Sequence, residues 1–322
     1  MNEAIIIENE NKNTERVFGL DLLRAFAILT VVYGHGGALL EKYIDLSIYN
    51  RFIFDGVTIF FVLSGFLIGG ILLKTLDSKN FTFSELMNFW KRRWFRTLPN
   101  YFLILFCLIL IDFFFLQKGI PYNRFQYFFF LQNIYLARPA FFDESWSLSV
   151  EEWFYLAIPF FITVYQLFLG RKYNKEFLFA LTITFIVIIT IFRIYRASIT
   201  GIDYSTIWFS VTTRLDSIMY GFLGAYLKFY HYPLWSKYKK IFLLMGLFLL
   251  LLFNTPIHII LTAGNSFPGN LYFSIYSIAT LMLLPFLSEL RCRPSILVNL
   301  ITQISILSYS MYLVHYERKF SL

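Results

Sequence analysis

At 322 residues, with 58% hydrophobic, 21% aromatic and only 15% charged residues, the chain is too apolar for a soluble globular protein, since soluble chains carry about 25% charged residues. Its formal net charge of +8 is no nucleic-acid footprint, because the basic residues cluster in short connections between apolar runs, the positive-inside pattern. Cys107 and Cys292 stand apart from any CxxC or Cys/His spacing, so the sequence supports neither a disulfide framework nor a metal site.

Several runs reach the ~20 apolar residues that cross a bilayer core. The expected fold is all-α, a polytopic transmembrane helical bundle with its N-terminus in the cytoplasm. Met1–Arg16 is polar and of mixed charge, unlike the basic start of a signal peptide, so the first span reads as an uncleaved signal anchor. Nine spans are expected, near 18–40, 53–73, 99–117, 150–169, 177–195, 207–227, 241–254, 270–288 and 297–316. That leaves a cytoplasmic tail (1–17), a membrane domain (18–316) and a short C-terminal tail (317–322). The connection 74–96 holds Lys74, Lys79, Lys91, Arg92, Arg93 and Arg96 against Asp77 and Glu85, which marks it as cytoplasmic. Alternation then places Arg171, Lys172 and Lys175, then Lys228, Lys237, Lys239 and Lys240, then Arg291 and Arg293 on that same side. The seventh span is short, with a weak apolar piece after it between Pro256 and Pro268. In the outer segment 118–150, the stretch 125–137 is short and polar at Gln126, Gln132 and Asn133. A re-entrant or interfacial helix packed on the bundle is expected there. No internal repeat relates the two halves.

Five places put polar groups where a bilayer resists them. In the first span, GLDLLRAFAILTVVYGHGG, Arg24 and His35 lie eleven residues apart, nearly three turns. They share one face, roughly 16 Å apart along the axis. Intramembrane ionisable groups normally face a bundle interior and mark function; a snorkelling arginine and an unrelated buried histidine is the alternative. In FDGVTIFFVLSGFLIGG, Gly65 and Gly69, with Gly56 ahead of them, allow another backbone close approach, and Asp55 lies at the outer end. In FWKRRWFRTLPNY, Arg93 and Arg96 share a helical face and form a guanidinium fork suited to phosphate or carboxylate; anchoring among headgroups is the other reading. In DESWSLSVEEWFY, Glu151 and Tyr155 are an i,i+4 pair directed down the fourth span, while Asp143, Glu144 and Glu152 suit a solvated outer cap. In TTRLDSIMYGFLGAY, Arg214 and Asp216 are two apart and face different ways, so each needs a partner on another span. His315 lies at a membrane edge; His231 and His258 read as loop residues. No nucleotide-binding loop, metal motif or GxSxG elbow is present, and no serine or cysteine stands at a diagnostic spacing from His35.

Taken together, R-x10-H in the first span, DGVTIFFVLSGFLI, RRWFRTLPNY, SWSLSVEEWFY, RLDSIMYGFLGA and ISILSYSMYLVH appear in an order that closely resembles the integral-membrane acyltransferase-3 family, from about Phe18 to His315. The resemblance implies transfer of an acyl group, commonly acetyl from acetyl-CoA, onto hydroxyls of surface polysaccharides, lipid-linked sugars, peptidoglycan or small molecules. It implies an acyl-CoA donor, a glycan or lipid-linked sugar acceptor, no metal and no nucleic acid, in a multi-pass protein of the cell (cytoplasmic) membrane. The family's R-x10-H pair falls on Arg24 and His35, its RxxR pair on Arg93 and Arg96, and its glutamate after SWSL on Glu151. His35 is thus the expected catalytic base, and Glu151 is expected to contact the acceptor or hold His35 in the useful tautomer. Arg24, Arg93 and Arg96 are expected at the donor, and Asp55, Tyr155, Arg214 and Asp216 as substrate-binding candidates. Two departures stand out. Thr58 replaces an aspartate found in many members, and the chain stops at Leu322 where members usually continue through one more span, as a truncated or diverged terminus would. The competing expectations are a transporter or flippase of a lipid-linked or anionic solute, whose pathway the same intramembrane charges could line, and an inactive homologue.

Overall fold

The computed structural model describes residues 16–40, 53–77, 83–116, 125–134, 139, 141–169, 174–199, 204–254 and 267–315. Expectations that fall on 1–15, 118–124, 135–138, 171–173, 255–266 and 316–322, including the loop around His258 and the C-terminal tail, lie outside the described residues. Within them the chain is helical, without strands: α1 (Phe18–Leu40), α2 (Gly56–Asp77), α3 (Phe83–Ile111, running into a π-helical turn, Asp112–Leu116), α4 (Phe125–Phe128), α5 (Ser145–Leu169), α6 (Lys175–Ser198), α7 (Tyr204–Phe209), α8 (Val211–Tyr230), α9 (Tyr232–Lys237), α10 (Lys239–Phe253), α11 (Phe267–Leu287) and α12 (Ile296–Val314).

Seven of these helices are long and apolar enough to cross a membrane. The two other expected spans are α8, which carries Arg214, Asp216 and Lys228, and α10, which has only 15 residues. Side chains cap the starts of α6 and α12: Asn174 accepts the Phe177 N–H at 2.8 Å ahead of α6, and Ser295 accepts that of Val298 at 3.2 Å ahead of α12. Each satisfies one of the N–H groups that a helix start leaves unbonded.

Two boundaries differ from expectation in ways that matter to the site. The third span was expected from residue 99, after a basic connection, but α3 already begins at Phe83. Lys91, Arg92, Arg93 and Arg96 therefore project from a helix that continues through Pro99. Among its described residues, 125–134, the stretch expected as a re-entrant helix is helical over Phe125–Phe128, after which the backbone turns, with Phe130 at φ 56°. The polar residues that argued against a span hold this turn in place. The Gln132 amide donates to the Ser145 carbonyl and to the Ser145 and Ser149 hydroxyls. Asn133 donates to the carbonyls of Trp146 (3.0 Å) and Phe209 (2.6 Å). Irregular backbone within a membrane protein is tolerable where protein groups satisfy it in this way.

The bundle is built around α8, buried along most of its length and packed against α2, α5, α6 and α11. Its closest neighbour is α2. A Cβ at Gly65 would collide with the Ile218 carbonyl, and one at Gly221 with the Val62 carbonyl, so the two backbones touch through reciprocal glycines. The expected close approach is therefore present, but it is divided between two neighbours. A Cβ at Gly56 would strike the Ala27 carbonyl of α1 rather than α8. At 100° per residue, nine residues turn Gly56 to the side opposite Gly65. α12 lies along α1, and a second apolar cluster built on Ile28, Tyr101, Phe142, Leu148 and Tyr312 fills the space between α1, α3, α5 and α12.

Candidate functional site

α1, α2, α3, α5 and α12 enclose a cavity of about 620 Å³, within the range of roughly 300–1,000 Å³ usual for small-molecule sites. Arg16, Arg24, Arg93 and Arg96 all line it, outnumbering the carboxylates of Asp21 and Glu151 two to one. Three of those arginines were expected together from sequence; Arg16, ahead of the first span, was not. Asp21, in the first turn of α1, accepts Arg16 Nη2 at 2.7 Å and Nε at 3.0 Å. It also accepts the Ser305 hydroxyl of α12 at 2.7 Å and lies 3.9 Å from Arg24. The hydrogen bonds to Asp21 raise the Arg16 guanidinium above its ordinary pKa.

Behind the arginines lies a polar knot centred on Tyr155, whose side chain is buried. Its hydroxyl meets Arg93 Nη2, the Ser64 hydroxyl at 2.8 Å and Glu151 Oε2 at 3.0 Å. Arg93 lies over the Tyr155 ring, 4.5 Å from its centroid, and 3.7 Å from Glu151. The expected i,i+4 partnership of Glu151 and Tyr155 is present, and it holds a cavity arginine. The next turn adds a further tie. Pro159 has no N–H to give the carbonyl four residues back, and that carbonyl, of Tyr155, instead accepts Trp90 Nε1 of α3 at 2.9 Å. Glu152, expected in a solvated cap, is buried, accepting Trp94 Nε1 at 3.1 Å and the Thr97 hydroxyl at 3.3 Å. Glu144 is buried as well. For Glu152 the cap reading fails because α3 extends far enough to cover this face of α5.

Asp55, Arg214 and Asp216 do not line the cavity; they belong to a separate buried network. Asp55 caps α2, accepting the Thr58 N–H at 2.9 Å and the Thr58 hydroxyl at 2.5 Å. The Thr58 hydroxyl in turn accepts Arg214 Nη2 at 2.6 Å, and Arg214 lies 3.8 Å from Asp55. Among the described residues Arg214 Nε and Nη1 have no hydrogen-bond partner, and the guanidinium lies 3.7 Å over the Phe273 ring, with Phe61, Trp146 and Trp208 around it. Asp216 pairs with Arg193 of α6 at 2.8 Å, both side chains fully buried. Arg193 also donates to the carbonyls of Asn270 (2.9 Å) and Thr213 (2.7 Å) and to the Ser274 hydroxyl (2.6 Å). Arg214 and Asp216 thus find partners on other helices, as their spacing requires. Sequence reading passed over Arg193; the signal was a cation inside an apolar helix when Asp216 still lacked a partner.

His35 stands at the other end of α1 from Arg24, not in the cavity wall. Its Nδ1 is 2.5 Å from Nε2 of His315, the rings nearly parallel and edge to edge with centroids 4.7 Å apart. His315 Nδ1 lies 2.7 Å from the Tyr312 main-chain oxygen. Tyr312 does line the cavity, and its hydroxyl is 2.7 Å from the Ser147 hydroxyl, also in the wall. α12 therefore links the cavity to the histidine pair. Among the described residues no three His, Cys, Asp or Glu side chains gather as a metal ion would require.

A polytopic helical bundle with an arginine-lined cavity between its helices defines the class as a helical membrane protein. Residues 17–317 match the acyltransferase domain model, and the chain belongs to the acyltransferase-3 family. It is similar to a Staphylococcus aureus (strain COL) protein provisionally named an O-acetyltransferase, 29% identical across 67% of this chain and 35% of that protein. It also resembles the peptidoglycan O-acetyltransferase of Listeria monocytogenes, 29% identical across 63% and 32%. A Bacillus subtilis protein provisionally named a peptidoglycan O-acetyltransferase is 34% identical across 45% and 24%. The chain thus spans about a third or less of the length of these curated relatives. No solved structure matches it.

Proposed function

We propose that this chain is a membrane-embedded O-acyltransferase that moves an acyl group, with acetyl the first candidate, from acyl-CoA to a hydroxyl of a cell-envelope glycan or lipid-linked sugar. The observation that carries this reading is the convergence of Arg16, Arg24, Arg93 and Arg96 on one cavity whose wall includes Tyr312, the neighbour of the histidine pair. Guanidinium groups bind phosphate through paired, planar N–H donors, which suits the phosphates of a CoA donor. The positive-inside pattern supports a cytoplasmic placement of this end of the bundle, where acyl-CoA is found. In the O-acetyltransferase names of its relatives the acyl group is acetyl, and in two of them the acceptor is peptidoglycan.

In the proposed reaction the phosphates rest on the arginines and the thioester reaches past Tyr312 toward His35. His35 accepts the acceptor's hydroxyl proton as that oxygen bonds to the thioester carbonyl carbon. The carbon–sulfur bond then breaks, and the CoA sulfur leaves as thiolate and takes the proton from the His35 imidazolium, which restores the base. Positioned general bases contribute typically 10²–10⁴-fold. Glu151, through Tyr155 and Arg93, positions the donor end rather than the base. Asp55, Arg214 and Asp216 hold the bundle together away from the substrates.

The test is transfer of radiolabel from acetyl-CoA to a lipid-linked glycan fraction by membranes carrying the full chain, wild type against His35→Ala. Label in the glycan with wild type alone is the expected result. Equal labelling by both proteins would remove His35 as the base.

A further inference from the structure

His315 is a polar group against which His35 rests, and the direction of the hydrogen bond between them follows from the contact of His315 with the Tyr312 main chain. The Tyr312 main-chain oxygen can only accept, so the His315 Nδ1, 2.7 Å away, carries the proton of that bond. A neutral His315 ring protonated at Nδ1 has a lone pair at Nε2. The 2.5 Å contact between that nitrogen and Nδ1 of His35 is then made by the His35 N–H donating. A His35 protonated at Nδ1 holds its lone pair on Nε2. Which ring nitrogen of a histidine is basic is set by the bond the other nitrogen makes.

We infer that His315 is a positioning residue that fixes the tautomer and ring plane of His35, transmitting the alignment of the α12 backbone at Tyr312 to the base. The inference rests on the proposed reading of His35 as that base. The geometry on both sides supports it. The rings are nearly parallel, at an interplanar angle of 23°, and meet edge to edge through their nitrogens, so His35 cannot rotate about its Cβ–Cγ bond without breaking the hydrogen bond. His315 follows the last turn of α12, and Tyr312, one turn earlier, is anchored by its hydroxyl to Ser147 of α5. The Tyr312 and His315 ring centroids are 5.4 Å apart. The base is therefore set by the helix whose Tyr309 and Tyr312 also wall the cavity, so one element spaces donor and base.

The test uses membranes with the full chain and the acetyl-CoA transfer assay, resolved into kcat and donor KM, for wild type, His35→Ala and three His315 variants. His315→Phe keeps a ring but cannot accept from His35. His315→Gln places an amide oxygen near the position of Nε2 and can accept. His315→Asn places its amide nearer Nδ1, toward Tyr312 and out of reach of His35. Loss of the set tautomer forfeits much of the general-base contribution, so Phe and Asn should each lower kcat on the order of 10²-fold. Donor KM should stay within about twofold, because the arginines are untouched, and Gln should recover about tenfold of the loss. Rates for Phe and Asn near wild type, with His35→Ala inactive, would overturn the inference and leave the base assignment standing. So would Gln falling as far as Asn, with donor KM shifting in parallel, the mark of a merely structural role. Transfer by His35→Ala at the wild-type rate, or none by wild type, would overturn the reading beneath it. Should Phe fail to insert, the comparison of Gln with Asn decides the same question.

Discussion

Replacing Asp216 with asparagine keeps the shape and a carbonyl oxygen but removes the charge that balances Arg193. Both side chains are fully buried and 2.8 Å apart. The cation left behind would still hold the Asn270 and Thr213 carbonyls and the Ser274 hydroxyl, but no carboxylate. Breaking a buried pair from one side costs about 3–5 kcal/mol, equivalent to roughly 10²–10⁴ in the folding equilibrium. Coulomb attraction alone would give a larger figure, but the desolvation already suffered by both ions offsets much of it. The assay is the thermal unfolding midpoint of detergent-solubilised protein for Asp216→Asn, Arg193→Leu and Arg193→Leu/Asp216→Leu. The single variants should lose several degrees or fail to accumulate, and the double variant should recover much of that loss, since it leaves no lone charge. Single variants as stable as wild type, or a double variant as unstable as the two singles added, would refute the view that the pair acts as a unit.

Thr58→Val removes the hydroxyl that accepts Arg214 Nη2 and donates to Asp55. With Nε and Nη1 of Arg214 already lacking partners, it should destabilise by about 1–3 kcal/mol, read by the same melting assay. A neutral result would show that the aromatic groups alone hold the cation. Arg93→Lys keeps the charge but loses the planar fork, and should raise donor KM several-fold while barely changing kcat; titration of acetyl-CoA in the transfer assay checks it.

The class of the protein was legible in composition, and the helices in apolar runs, because a bilayer demands long apolar segments and satisfied backbone. Gly65 announced a close helix contact through residue type alone. That Gly56 serves a different helix also follows from helical geometry, by counting degrees between them. Glu152 was harder, since it is met by Trp94 and Thr97, in the part of α3 ahead of the expected span, and a run of cations interleaved with aromatics reads equally well as a loop among headgroups. Arg193 needed its partner: a lone arginine near the end of an apolar run resembles a snorkelling side chain until Asp216 is known to face it. The pairing of His35 with His315 joins residues 280 positions apart, which no local pattern encodes. Arg24, Arg93, Arg96 and Glu151, by contrast, could be named from motifs, and the fold brings all four to one cavity wall.

The tie between Trp90 and the Tyr155 carbonyl gives a proline an unusual part in evolution's choices. Pro159 left that carbonyl without its helical donor, and an indole from another helix took the place. Losing the indole strands the oxygen, whereas restoring an N–H at position 159 makes the indole bond redundant. Substitutions at positions 90 and 159 should therefore be coupled: a change at 90 is tolerated most readily in a chain that has already exchanged its proline. The aromatic belt of α3 is constrained by an imino acid on α5, and the register of Arg93 over Tyr155 depends on that dependence being kept.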